Sequence, residues 1–430
     1  MRNSTIILAA IVCLGSAPAL AQTPLFTSNA DWFVQGDQPT ATFGGHLAPA
    51  GDTDGDGYDD VLVGDAGYDG VFTDSGRILL YRGSSNGLSQ TPSWSLEGSA
   101  AGAFLSRAAG AGDVNGDGFD DIVVQSGQSL SLYLGSPAGP GLSPSWTTTG
   151  TSSGHGDVNG DGFEDLAVFF NPSFSIYMGS PAGLAQTPST VFPLPLTGAF
   201  LIAGPVLDDF DQDGRDDLAY TWRYCGGRHC LYLVGELRVH LGSDKGLSTQ
   251  AKRSFVFGRE RIPIPALVGD ADGDGFHDLA VTDYPFPGAS LDPPAGYLLR
   301  GSRSGLRTQT GGPTIDFSGV FLECCSGGDG TGDINGDGFA EFHIAVQYPN
   351  TDPARTALLI YSGGPAGYSS VPLLSVEPDA ESQEFGTAAS RAGDVNGDGL
   401  GDFIVDDRHF LSGGLQQVGR VYAFYGRPTF

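Results

Sequence analysis

The pattern Asp-x-[Asp/Asn]-x-Asp-Gly-x-x-[Asp/Glu] occurs seven times in the 430 residues, beginning at Asp52, Asp113, Asp157, Asp209, Asp270, Asp333 and Asp394. Successive copies start 44 to 63 residues apart, and each runs directly into a short apolar segment. A chain that repeats one unit at this period is built as a radial or stacked array of small units, each completed by its neighbours.

In the first copy Asp52, Asp54 and Asp56 stand at positions 1, 3 and 5, and their side chains converge if the backbone curls tightly. Gly57 at position 6 permits the curl, because glycine tolerates positive φ. The carbonyl of Tyr58 at position 7 can then turn inward, and Asp60 at position 9 closes the cage. An all-oxygen cage of roughly six or seven ligands suits Ca2+ and not zinc or copper. The same positions are filled by Asp113, Asn115, Asp117, Phe119 and Asp121; by Asp157, Asn159, Asp161, Phe163 and Asp165; and by Asp209, Asp211, Asp213, Arg215 and Asp217. The last three copies supply Asp270, Asp272, Asp274, Phe276 and Asp278; Asp333, Asn335, Asp337, Phe339 and Glu341; and Asp394, Asn396, Asp398, Leu400 and Asp402. Up to seven calcium ions are expected. The fourth loop departs from the others with Gln212 at position 4 and Arg215 at position 7, and the sixth ends in the longer Glu341.

An EF-hand opens with the same letters but needs a glutamate at position 12 and helices on both sides. Here position 12 is Val63 in the first loop and Val124 in the second, and the flanks read Val61-Leu62-Val63, Ile122-Val123-Val124 and Phe403-Ile404-Val405. Such runs are strands. With 67 Gly and 27 Pro the chain reads as all-β. Its net charge of −29 argues against nucleic acid as a partner. About half of the 50 acidic residues sit at loop ligand positions, so the acidity is mostly metal-binding capacity.

Residues 1–21 read as a signal peptide, with Arg2, the apolar stretch Ile6 to Leu14 and the small-residue step Ala19-Leu20-Ala21 before Gln22. That stretch is too short for a membrane anchor, and no other segment is a transmembrane candidate. The remaining 22–430 is expected to be exported as a monomer, extracellular, held at a cell surface or periplasmic. Cys225 and Cys230 look like a hairpin closed by a local bridge, while Cys324-Cys325 either form a vicinal bridge or stay reduced.

Alignment on the loops exposes the rest of the unit. A Phe stands nine residues before four loops, at Phe43, Phe104, Phe200 and Phe385, with Gly44 and Gly386 following the first and last of these. After each loop come an apolar strand, a variable connection and a second strand ending in Gly-Ser or similar, as in Leu80-Tyr81-Arg82-Gly83-Ser84. Several copies add a further strand, as in Gln90-Thr91-Pro92-Ser93-Trp94. Four strands per unit is the content of a propeller blade.

With these elements the chain resembles the FG-GAP repeats of integrin α-subunit propellers and their bacterial relatives over essentially all of 22–430. The resemblance implies a seven-bladed β-propeller of four-stranded antiparallel blades, with calcium in the loop joining the first two strands of a blade. The chain ends in a third-strand pattern, Gly419 to Gly426, while Gln22-Thr23-Pro24 and Trp32 echo Gln90-Thr91-Pro92 and Trp94. The N-terminal strand is therefore expected to complete the last blade, which removes open sheet edges.

Catalytic residues are not expected. Gly83-Ser84-Ser85-Asn86-Gly87 has the spelling of a nucleophile elbow, but it recurs in other units as a turn. His46, His155, His277 and His343 share no motif. The connections between second and third strands are short in blades two and three and long in the five others. They carry Trp222, Tyr224, Tyr284, Phe286, Tyr348, His409, Phe410, Tyr68 and Phe72, on the face away from the calcium loops. The expected role is an adhesion or ligand-binding module for an extracellular protein or glycan. The alternatives are an enzyme of extracellular polysaccharides or lipids, and a structural spacer.

Overall fold

The apolar runs after the loops are buried along most of their length, and throughout in Asp60–Asp65 and Asp402–Asp407, whereas strands such as Trp94–Glu97 alternate between buried and exposed residues. A strand buried on both faces has sheets packed on either side; an alternating strand lies toward the rim. A computed structural model has this arrangement. It describes residues 25–39, 42–170, 173–193, 200–226, 232–285, 294–308, 315–316, 321–322, 329–348, 355–378, 385–412, 416–428 and 430. The expected leader and Cys230, Cys324 and Cys325 lie outside these residues.

The protein is an all-β, seven-bladed propeller of antiparallel blades. Blade 1 is Phe43–Gly51, Asp60–Asp65, Arg77–Tyr81 and Trp94–Glu97; blade 2 is Arg107–Gly112, Asp121–Ser126, Ser129–Tyr133 and Trp146–Thr149. Blade 3 is Thr151–Gly156, Asp165–Phe170, Ser173–Tyr177 and Thr190–Pro193; blade 4 is Phe200–Asp208, Asp217–Gly226, Tyr232–His240 and Arg253–Arg259. Blade 5 is Arg261–Gly269, Asp278–Pro285, Ala295–Arg300 and Arg307–Thr308, with Ile315–Asp316 also paired to its third strand. In blade 6, Phe321–Leu322 and Asp329–Gly332 pair with Glu341–Tyr348, followed by Arg355–Tyr361 and Leu374–Glu377. Blade 7 is Phe385–Gly393, Asp402–Asp407 and Arg420–Phe424, and its outer strand is Trp32–Gln35 from the N-terminal end.

That last pairing is the expected closure. Trp32 pairs with Ala423 and Gln35 with Arg420. Trp32 donates through Nε1 to the Ser89 carbonyl of blade 1 and meets Tyr81 edge-on at 5.3 Å. Trp94 treats Gly141 and Tyr133 of blade 2 in the same way, and Trp146 treats Ala185 and Tyr177 of blade 3. The N-terminal segment also adds a short strand, Leu25–Phe26, parallel to the outer strand of blade 6. It therefore joins two blades, which the sequence alone did not indicate.

The core is divided into wedges between neighbouring blades. Leu62, Ile78, Leu80 and Trp94 of blade 1 pack on Ala108, Ile122, Val124 and Tyr133 of blade 2. Trp32, Val421 and Ala423 of blade 7 pack in the same way on Val61, Val63, Leu79 and Tyr81 of blade 1. Burying one such Leu or Ile contributes roughly 1.5–3 kcal/mol. Phe43 and Phe385 are buried as the motif implies, but Phe104 is 54% exposed, with φ 48°, and Leu105 takes the buried place. Trp222 and Tyr284, expected in connecting loops, are buried residues of long strands, because the second strand of blade 4 runs on to Gly226 and that of blade 5 to Pro285.

Candidate metal centre

Every loop is folded around its first aspartate. Asp52 accepts the N–H groups of Gly55 and Asp56 on Oδ1 and of Gly57 on Oδ2, at 2.7, 3.1 and 2.8 Å. Asp113, Asp157, Asp270, Asp333 and Asp394 repeat all three bonds, and Asp209 accepts from Asp213 and Gly214. The position-5 carboxylate accepts the N–H of position 7, as Asp56 does from Tyr58 and Asp117 from Phe119. In loops 2, 3 and 7 the position-3 amide donates to the position-5 carboxylate, Asn115 to Asp117, Asn159 to Asp161 and Asn396 to Asp398. In loops 1, 4 and 5 three carboxylate oxygens lie within 4.8 Å of one another: Asp52, Asp54 and Asp56; Asp209, Asp211 and Asp213; Asp270, Asp272 and Asp278.

The position-9 acids have a second task. Asp60, Asp121, Asp165, Asp278 and Asp402 each accept the N–H of position 2 in their own loop and the N–H of the glycine that ends the third strand of the blade. Glu341, despite its extra methylene, keeps the bond from Ile334 at 2.9 Å. Asp217 keeps the glycine bond, from Gly242, but its Oδ2 is buried without a hydrogen-bond partner. Burial raises these carboxyls far above their usual range, to about 7 for Asp60, Asp121, Asp165, Asp278 and Asp402, and to about 8 for Asp217 and Glu341. Asp54 Oδ1 and Asp211 Oδ1 are likewise buried without a partner. Clustered oxygen donors, some of them orphaned, fit a hard divalent cation.

The loops are also bonded to one another. The N–H of position 8 donates to the position-1 carbonyl of the preceding loop: Asp120 to Asp52, Glu164 to Asp113, Asp216 to Asp157, Ala340 to Asp270, Gly401 to Asp333, and Asp59 to Asp394 across the closure. A second set runs from the residue after each third-strand glycine to the position-2 carbonyl of the preceding loop, and it is present at all seven junctions, from Ser84 to Val395 through Arg427 to Ile334. A Cβ on Gly55 would meet Phe119 at 2.6 Å, and one on Gly397 would meet Tyr58 at 2.6 Å. The position-7 aromatic of one loop therefore lies on the position-4 glycine of the loop before it. Gln212 replaces that glycine and still adopts φ 55°.

Two comparisons bear on this arrangement. The profile of the FG-GAP-like repeat matches residues 52–124 and 113–168, the first three loops and their strands. Integrin alpha pat-2 of Caenorhabditis briggsae is 40% identical over 101 residues, covering 22% of this chain and 8% of that protein. Integrin alpha-7 of Rattus norvegicus is 40% identical over 102 residues (23% of this chain, 8% of that protein), and integrin alpha-IIb of Homo sapiens 36% over 111 residues (24% and 10%). The β-propeller thus carries FG-GAP-like repeats over residues 52–168 and is similar there to integrin α chains. The matches span about a tenth or less of those integrin chains.

Within the propeller His46 and His277 reach partners in a neighbouring blade and His155 one in its own. His46 Nε2 lies 2.7 Å from the Ala108 carbonyl, His343 is buried, His155 Nδ1 lies 2.9 Å from Glu164 and His277 Nδ1 2.6 Å from Asp208. The Gly83–Gly87 turn is the one repeated in other blades, closed by the Ser84 hydroxyl donating to the Gly87 carbonyl, as Ser136 does to Gly139 and Ser302 to Gly305.

One constellation was missed from sequence. First strands from blades 1, 2, 3 and 7 converge at the axis around a cavity of about 300 Å3 lined by Asp59, Asp120, His155, Glu164 and Arg391. The position-8 acids Asp120, Asp216 and Asp59 each accept the position-1 N–H of the preceding loop, at 2.8, 2.7 and 2.8 Å. A signal was available, because position 8 is acidic in the first four loops and becomes His277, Ala340 and Gly401 in the rest.

The opposite face is uneven, as expected. The second and third strands turn tightly in blades 2 and 3 and lie further apart along the chain elsewhere, least so in blade 4, where their pairing runs on to Gly226 and Tyr232. There Phe33, Val71, Phe72 and Leu411 are exposed, and Arg420 lies over the rings of Phe33 and Phe410 at 4.6 and 3.5 Å. No described helix is long and apolar enough to cross a membrane.

Proposed function

We propose that this FG-GAP propeller is an exported, calcium-stabilised module that binds an extracellular protein or glycan on the face opposite its acidic loops. The observation that carries the reading is the repeated oxygen-donor loop, locked to its neighbours at every junction and containing buried carboxylate oxygens with no partner. Positions 1, 3, 5 and 9 would supply side-chain oxygens and position 7 its carbonyl. The bound cation would supply positive charge that lets several carboxylates stay ionised side by side. Kinship with integrin α chains supports an extracellular setting and a ligand-binding role, and the expected leader at 1–21 agrees with both. The exposed Phe33, Val71, Phe72 and Leu411 favour the long-hairpin face as the contact surface. A glycan and matrix-protein array probed with calcium and again with chelator tests this reading; no binding in either condition would overturn it.

A second reading is favoured by one observation, the axial cavity with its acid, histidine and arginine. Such a site could perform acid–base hydrolysis of a polysaccharide or lipid. Turnover of such a substrate, abolished by Glu164→Gln together with Asp120→Asn, would support it. Turnover unchanged in the double variant would refute it.

A further inference from the structure

The seven loops fall into two classes, and the division follows a residue outside the loop. Position 3 is Asn115, Asn159, Asn335 and Asn396 in loops 2, 3, 6 and 7, and Asp54, Asp211 and Asp272 in loops 1, 4 and 5. The residue just before the third-strand glycine is neutral wherever position 3 is Asn: Leu134, Met178, Ser362 and Tyr425. In blades 1 and 5 it is Arg82 and Arg300. Arg82 Nη1 lies 2.6 Å from Asp54 Oδ2, and Arg300 Nε lies 2.8 Å from Asp272 Oδ2. Both aspartate side chains are almost fully buried. Loop 4 has Leu241 at the corresponding place, but it alone carries Arg215 at position 7, whose guanidinium stands 3.5 Å from Asp213.

We propose that Arg82 and Arg300 are charge-balancing residues of the cation sites in blades 1 and 5, holding each four-carboxylate loop at the net charge of its three-carboxylate sisters. Loops 2, 3, 6 and 7 present three carboxylates. Loops 1 and 5 present four and one guanidinium. Arg82 engages one oxygen of Asp54 and leaves Oδ1 without a partner, which orients a single oxygen toward the cage. Two charges a few ångströms apart in a partly buried site interact strongly, so a missing or extra arginine changes cation affinity well beyond measurement error. The same arginines reach the next blade, Arg300 donating through Nη2 to the Pro365 carbonyl at 3.0 Å, so a purely structural role must be separated from the electrostatic one.

The inference rests on the cation reading given above, and calorimetric calcium titration of the stripped full chain separates the two. Wild-type protein that takes up no calcium overturns the cation reading. If it does bind, Arg82→Gln with Arg300→Gln should tighten two of the sites roughly ten-fold and lower the melting temperature in chelator. Asp54→Asn with Asp272→Asn should weaken the same two sites roughly ten-fold. The combination Asp54→Asn, Arg82→Leu, Asp272→Asn, Arg300→Leu copies blade 2 and should return wild-type affinity. Arginine variants that bind calcium more weakly, with no recovery in the combined variant, would make these residues blade-to-blade ties only and overturn the charge assignment.

Discussion

At the scale of single residues, the loops are constrained by the neighbouring blade as well as by their own hydrogen bonds. Gly397 has φ 74°, and a Cβ there would lie 2.6 Å from Tyr58 of the next loop. Gly397→Ala combines backbone strain with overpacking and should cost about 2 kcal/mol, read from urea unfolding in saturating calcium. Gln212 occupies the same position in loop 4 at φ 55°, a conformation that favours glycine. Gln212→Gly should therefore stabilise the protein by up to about 1 kcal/mol in the same assay. The tight turn around each first aspartate was legible from the spacing, because its hydrogen bonds lie within nine consecutive positions. The tasks of position 4, position 8 and Arg82 were not, since each is defined by a contact with a segment dozens of residues away.

Among the elements, the most consequential is Trp32–Gln35, which supplies the outer strand of blade 7. Trp32 is 3% exposed, bonds to Ser89 and packs on Tyr81, so it holds blade 7 against blade 1. Trp32→Ala should cost about 3–5 kcal/mol, and blade 7 amides should exchange with solvent faster than those of blade 3. The strand was readable because Trp32 echoes Trp94. Its companion Leu25–Phe26 was not, because a two-residue parallel pairing leaves no period in the sequence. The strand character of Trp222 lay within reach: Leu218-Ala219-Tyr220-Thr221-Trp222 is a run with β-favouring residues, and it is buried without a break. Phe104 misled because a motif fixes spacing, and a change of backbone conformation at one residue turned the side chain outward.

For the whole molecule, the buried closing carboxylates couple stability to pH and, on the proposed cation reading, to metal. Without a cation their carboxyls titrate near 7 to 8, against an ordinary value near 4 in the unfolded chain. The raised folded value means that their contribution is fully present below about pH 4 and is lost as pH rises through 7 to 8. In chelator the melting temperature should fall between pH 5.5 and pH 8.5. In calcium that decline should vanish or reverse, because the cation favours the ionised form. Scanning calorimetry at the two pH values with and without calcium checks both signs. The closure of blade 7 adds a consequence in time. Trp32–Gln35 is synthesised before all seven acidic loops, whereas its partner Arg420–Phe424 follows the last of them. The ring cannot be sealed before Arg420–Phe424 is made, so Trp32–Gln35 must wait for its partner while the strands of six other blades are laid down. That order makes the sealing of blade 7 a late event in folding, with the ring left open until the strands of every other blade have been made.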